Sequence, residues 1–160
     1  RLACAPPACS TAITDFASYP VWNPFLVRIS ELEWPAAVGE RFRLHTRWAS
    51  GREDTSVEEV TLLDAPYPDA LGHIAAFGFS LRGWLPTLGL LRSERIERLA
   101  QPRARPTRYH VEEVFTGLVS GLLPWGELEA GFEAHAHALK GYCESLSTLG
   151  GSPRSVRPAP

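Results

Sequence analysis

Two periodicities divide the chain. From about Pro124 to Leu146 apolar side chains recur every three or four positions, and Trp125, Leu128, Phe132, His135, Leu139, Tyr142 and Leu146 fall on one stripe. That spacing predicts a long amphipathic helix. Upstream, from Phe25 onward, the period changes to two. It predicts strands at about 25–33, 39–49, 56–64, 70–80, 91–100 and 106–118, separated by turn chemistry at Pro35 to Gly39, Ser50-Gly51, Pro66 to Asp69 and Pro102 to Pro106. Before Phe25, Arg1 to Ala5 reads as the stub of an edge strand. Ala8 to Phe16 reads as a short helix opened by Pro6 and Pro7, and Ser18 to Pro24 as an irregular turn.

Six consecutive strands with short links make an antiparallel meander, which curls, and one long helix then lies across it. The fold class is therefore α+β, a curved sheet gripping a helix. Residues 1–149 form one domain, and the Gly-, Ser- and Pro-rich stretch 150–160 is expected to be a flexible tail.

Alternation assigns side chains to faces. Phe42, Leu44, Thr46 and Trp48 share one side of the second strand, which leaves His45 on the solvent side with Arg41, Arg43 and Arg47. His73, Ala75, Phe77 and Phe79 form the inward set on the fourth strand. Tyr109, Val111, Glu113 and Phe115 form it on the last. The fifth strand, Leu91 to Leu99, carries charge on both faces. Closing the hairpin over Ala100 to Pro106 sets Leu99 near Thr107, Glu97 near Tyr109 and Ser93 near Glu113. Arg95 and Glu97 then point inward with Glu113, and Arg95 is diagonal to it. This set reads either as a polar base that orients a ligand carbonyl or carboxylate, or as a mutually satisfied ion pair. His135, on the apolar stripe, is a candidate general base with Glu113 or Tyr109 as its partner, or a core histidine held by one hydrogen bond. His137 lies about 200° around the helix from it, so the pair cannot chelate a metal. The link Leu81 to Leu90 is unusually apolar. The meander places it near Leu122, Leu123 and Trp125, as a greasy entrance or as a loop plugging itself.

Composition narrows the rest. The chain has 160 residues, 44% of them apolar, which suits one globular domain. A formal charge of -2 without a basic stripe argues against nucleic acid. No apolar run approaches the roughly 20 residues of a membrane span. Cys4, Cys9 and Cys143 lack metal-ligand spacing and are expected as reduced cytoplasmic thiols, with a Cys4–Cys9 bridge as the alternative. No methionine is present and the sequence opens on Arg1, so the native start, and with it any targeting segment, is expected upstream. No phosphate loop, nucleophile elbow or zinc-protease motif occurs. Neither metal nor cofactor is expected.

The segment Asp15-Phe16-Ala17-Ser18-Tyr19-Pro20-Val21-Trp22-Asn23-Pro24-Phe25 resembles the opening signature of the START-like (SRPBCC) superfamily, in particular its polyketide cyclase/dehydrase-like branch. Glu113-Val114-Phe115-Thr116-Gly117, then Gly131-Phe132 and Leu139-Lys140, match in order and spacing, so the resemblance spans nearly the whole chain. It implies a helix-grip fold of six to seven strands, two short helices near the N-terminus and a hydrophobic cavity closed by the long helix. Three departures stand out. The first strand is nearly absent, His135 stands where similar proteins often carry an apolar residue, and Phe77 stands where many carry tryptophan.

These readings converge on a pocket for a polyketide-, aromatic- or lipid-like molecule, in a monomer or homodimer. Its expected lining is Trp22, Phe42, Trp48, His73, Phe77, Phe79, Trp84, Glu97, Phe115, Trp125, Phe132 and Leu139. His135, Glu113, Arg95 and Tyr109 are the candidates for acid–base work in a cyclisation or dehydration. A carrier or sensor without chemistry needs only the cavity, and a protein-docking module needs neither.

Overall fold

A computed structural model describes residues 12–32, 35–68, 72–102 and 106–148. Its six strands are β1 (Leu26–Ser30), β2 (Arg41–Arg47), β3 (Glu53–Pro68), β4 (Gly72–Arg82), β5 (Arg92–Pro102) and β6 (Arg108–Thr116). They pair antiparallel in chain order. The stub of a seventh strand, the Cys4 and Cys9 pair and the tail all lie outside the described residues. Breaks in register between Leu26 and Arg28, Val60 and Leu62, and Asp64 and Tyr67 bend the β1–β2 edge ladder and the central β3–β4 ladder. Such irregularities strengthen local twist and let a meander curl.

The expected faces hold. Phe42, Leu44, Ala75, Phe77, Phe79 and Leu99 are buried on the concave side, and exposed and half-buried residues alternate strictly along β6. His45 takes hydrogen bonds with Ser30 and Thr55 on the outer side. The hairpin register differs from the expected one by two residues. Leu99 faces Tyr109, Glu97 faces Val111, Arg95 faces Glu113 directly and Ser93 faces Phe115. The physical reason is that β5 stays paired to β4 as far as Pro102, opposite Gly72, which pushes the turn outward. A shift of two leaves every side chain on its expected face.

Where an irregular turn was expected, a 3-10 turn at Phe16–Ser18 runs into a short helix at Tyr19–Trp22. Pro20 sits in its first turn and Asn23 caps its end. A further short helix, Trp84–Thr87, interrupts the apolar loop. The long helix runs Trp125–Thr148, preceded by Pro124 and with Glu127 in its first turn, where the helix dipole favours an acid. Ser50 donates to that carboxylate through its hydroxyl at 2.7 Å, tying the helix start to the β2–β3 turn. Gly131 is required by packing, because a Cβ there would collide with the Phe25 ring. No described helix is long and apolar enough to cross a membrane.

Candidate functional site

The polar groups on the concave face come from four elements. β5 contributes Arg95 and Glu97, and the register seats Arg95 between Phe79 of β4 and Glu113 of β6. The Arg95 Nε–H donates to Glu97 Oε1 at 3.1 Å, and Nη1 stands 3.8 Å from Glu113 Oε2. The guanidinium also lies over the Phe132 ring, 4.6 Å from its centroid. Burial alone would lower the Arg95 pKa, but Glu97, Tyr109 and Glu113 outweigh it, so the group stays charged.

His135 is not free for general-base work. Asn23 Oδ1 accepts from the backbone N–H groups of Phe25 and Leu26, which fixes the orientation of its amide. Its Nδ2 must then donate to His135 Nδ1, 2.8 Å away. The imidazole proton therefore resides on Nε2 and donates to the Tyr109 hydroxyl at 2.8 Å. Burial depresses the His135 pKa to about 4, with the nearby Glu97 charge opposing the shift. Both ring nitrogens are occupied by protein groups. Of the two expected partners Tyr109 is present, and the charged neighbour is Glu97, with Oε2 3.8 Å from Nε2, rather than Glu113. Burial, then the charge of Glu97, holds the Tyr109 phenol well above its usual pKa.

A third carboxyl group, beside Glu97 and Glu113, completes the inner face. Glu58 of β3 pairs in register with inward Phe42 and with Leu81, and it is 4% exposed. Burial raises its pKa to about 7, although Ser56 donates to it at 2.6 Å. Glu113 is raised as well, by burial, against the pull of Arg95 and Ser93. Three buried atoms here, Arg95 Nη2, Glu97 Oε2 and Glu58 Oε2, have no hydrogen-bond partner among the described residues.

Of the residues expected at the hollow, Phe42, Phe77, Phe79, Leu139, Arg95, Glu97 and His135 are closed to water. The reason is volume: Phe77 packs on Phe16 and Phe79, and Phe42 sets its edge on Phe79. Trp22 stacks on Tyr142 and covers the edge of His135. The side chain of His73 lies outside the described residues.

What remains accessible gathers at one end of the sheet. Glu113, Phe115, Leu123, Phe132 and Trp48 are half-buried or more exposed there, and Phe115 meets Trp125 edge-on at 5.6 Å. The Trp48 indole donates to Asp54. As expected from the topology, the apolar loop joins the segment before the long helix: Val119 donates to the Leu90 carbonyl at 3.0 Å and Leu118 to that of Gly89. Gly117 allows this approach, since its φ is +118° and a Cβ would strike the Leu90 carbonyl. Trp84, Leu88, Leu118, Leu122 and Trp125 all expose large apolar surface. Among the described residues no group of acidic, histidine and cysteine side chains could hold a metal. Cys143 is buried and its thiol pushed up to about 12.

Solved structures with this arrangement of strands and helix exist. A hypothetical protein, jhp0584, from Helicobacter pylori superposes with a TM-score of 0.67 at 12% identity, over 89% of this chain and 83% of that one. The di-domain ARO/CYC StfQ of the steffimycin biosynthetic pathway gives 0.65 at 13% identity, over 92% of this chain and 49% of that one. Ara h 8.0201 gives 0.57 at 16% identity, over 88% and 91%. The chain has the helix-grip fold. No family model matches the sequence, and no curated protein does. At these identities the likeness speaks for the fold alone, and the function of this helix grip has to come from its own side chains.

Two of these side chains escaped the sequence. Glu58 lies in a stretch, Thr55 to Val60, with polar residues at both parities; only its pairing with Phe42 and Leu81 turns it inward. Asn23, read as part of an irregular turn, acts on a residue 112 positions away.

Proposed function

We propose that this chain binds a hydrophobic small molecule, polyketide-like or aromatic, at the end of the helix grip bounded by Phe115, Phe132 and Trp125, and promotes its cyclisation or dehydration. The observation that carries this reading is the pair Glu58 and Glu113. Both are inward, both have raised pKa values, and both interact electrostatically with Arg95. A carboxyl that titrates near neutrality can give or take a proton at working pH. In such a step one carboxylate removes the proton alpha to a ligand carbonyl, and a protonated carboxyl delivers one to the oxygen that leaves or becomes the enol. Arg95, buried behind Glu113, would offset the developing oxygen charge from there. His135 would then be a positioning residue that fixes the Tyr109 hydroxyl. The likeness to an ARO/CYC protein of a biosynthetic pathway is consistent with this reading.

A carrier of lipid-like molecules without chemistry is the second reading. The Arg95–Glu97 ion pair, and the mutual satisfaction of Asn23, His135 and Tyr109, favour it. Native mass spectrometry of freshly purified protein separates the two. The catalytic reading expects a small-molecule adduct that Glu113→Gln retains unconverted and that the wild type turns over, leaving product. Unmodified ligand in the wild type after long incubation would leave only the carrier.

A further inference from the structure

The convex face of the sheet, away from the long helix, carries a pocket of about 760 Å³. It crosses β3 to β6 and is overhung by the short helix at Trp84–Thr87. Its polar wall is unusual. Ser80 and Glu94 face each other in register, and two residues further along the same strands stand Arg82 and Arg92. Like charges at neighbouring cross-strand positions repel. Arg82 is relieved by Glu59, which accepts from it at 2.8 Å and from Arg41 at 3.1 Å. Arg92 has no ion-pair partner among the described residues.

The second observation is independent of charge. Ser80 is nine-tenths buried, and its hydroxyl has no hydrogen-bond partner among the described residues; the hydroxyl of half-buried Thr61, at the β3 bulge, has none among them either. Both residues line the pocket. Buried hydroxyls without partners are rare in folded proteins and mark places where a guest supplies acceptors. Three guanidinium groups outnumber the two carboxylates of Glu59 and Glu94, and Arg92 is the one left over, a balance that favours an anionic guest. Donors spread over three strands fit the three outer oxygens of a phosphate monoester better than the two coplanar oxygens of a carboxylate. Pro86 and exposed Val114 supply a hydrocarbon wall for its organic part.

We propose that this outer pocket is a second ligand site, separate from the concave face, that binds a phosphate ester between Arg82, Arg92 and the hydroxyls of Ser80 and Thr61. It does not depend on the function proposed for the interior. The test is a titration of the full chain with inorganic phosphate at constant ionic strength, followed by amide shifts in two-dimensional NMR. Saturable shifts at Thr61, Ser80 and Arg92 are expected, at least tenfold tighter than with acetate. Arg92→Gln weakens binding tenfold or more, and Arg47→Gln, in a surface ion pair on β2, leaves it unchanged. Ser80→Ala weakens it severalfold while thermal stability stays equal or rises, a split that a purely structural hydroxyl would not give. Flotation with phosphatidate vesicles against soluble dihexanoyl phosphatidate then tells a membrane headgroup from a free metabolite. Shifts that follow ionic strength alone, or survive Arg92→Gln undiminished, overturn the proposal.

Discussion

Back to back on one sheet lie two arginine–glutamate networks, and burial sets them apart. On the outside Glu59 accepts from Arg41 and Arg82 at 3.1 and 2.8 Å, with the arginine side chains 67% and 37% exposed. On the inside Arg95 meets Glu97 at 3.1 Å and Glu113 at 3.8 Å, with Arg95 2% exposed. By distance alone the outer network is the stronger. Water reverses the ranking of consequences: exposed charges resolvate when a partner is lost, and buried ones cannot. The same chemistry is thus dispensable on one face of β5's neighbours and obligatory on the other.

The largest expected effect follows from removing one member of the inner pair. Arg95→Met leaves Glu97 buried and unpaired, and should cost about 3–5 kcal/mol in urea denaturation. The double variant Arg95→Met, Glu97→Leu removes both charges and should recover most of that loss, because two hydrocarbons of similar volume suit a dry site. If the double variant is no more stable than the single one, the inner network is not held together as an ion pair.

The next prediction concerns pH. Glu58 has a pKa of about 7 in the folded chain against an ordinary 4.5. Between these values the unfolded chain has released a proton that the folded chain keeps, so stability falls as pH rises. His135 works the other way. Its folded value of about 4 lies below the ordinary 6.5, so the unfolded chain binds a proton that the folded one refuses, and stability falls as pH drops. Each contribution is on the order of 3 kcal/mol across its window. The windows overlap between pH 4.5 and 6.5, where the slopes oppose. Glu113, also raised, adds to the slope of Glu58. Wild-type stability should therefore fall gently with pH across the overlap, while Glu58→Gln flattens the profile and His135→Gln steepens the fall. An unchanged profile in Glu58→Gln would show that this carboxyl is not buried as a neutral acid.

The sequence revealed faces more reliably than contents. Strand alternation put Arg95, Glu97, Tyr109 and Glu113 on the inner side, and a register wrong by two could not disturb that, because parity survives an even shift. The long helix and all six strands were visible for the same reason: each buries one face, so each carries a period. Alternation says nothing about how much space the inward side chains leave. Phe42, Phe77 and Phe79 were read as the lining of a cavity; the structure shows them closed to water and in ring-to-ring contact, at distances that only the curvature of the sheet sets. Glu58 and Asn23 were invisible because their roles rest on cross-strand and long-range partners. Ser80 and Thr61 were invisible too, because a bulge after Val60 brings Thr61 to the outer pocket without any period to announce it.

The smallest expected effect completes the contrast. Arg41→Gln removes one donor to Glu59 on the outer face, and Arg82 still holds that carboxylate, whose pKa sits at about 2 because both arginines donate to it. Thermal unfolding of Arg41→Gln should match the wild type within the error of the melt, and raising the salt should not separate the two, since the Debye length of about 8 Å at physiological ionic strength already screens exposed pairs. A loss comparable to that of Arg95→Met would mean that Glu59 is shielded from water by the overhanging loop, and the two networks would then differ in name only. A matching melt would show that Arg41 is not needed for stability, since Arg82 alone holds Glu59.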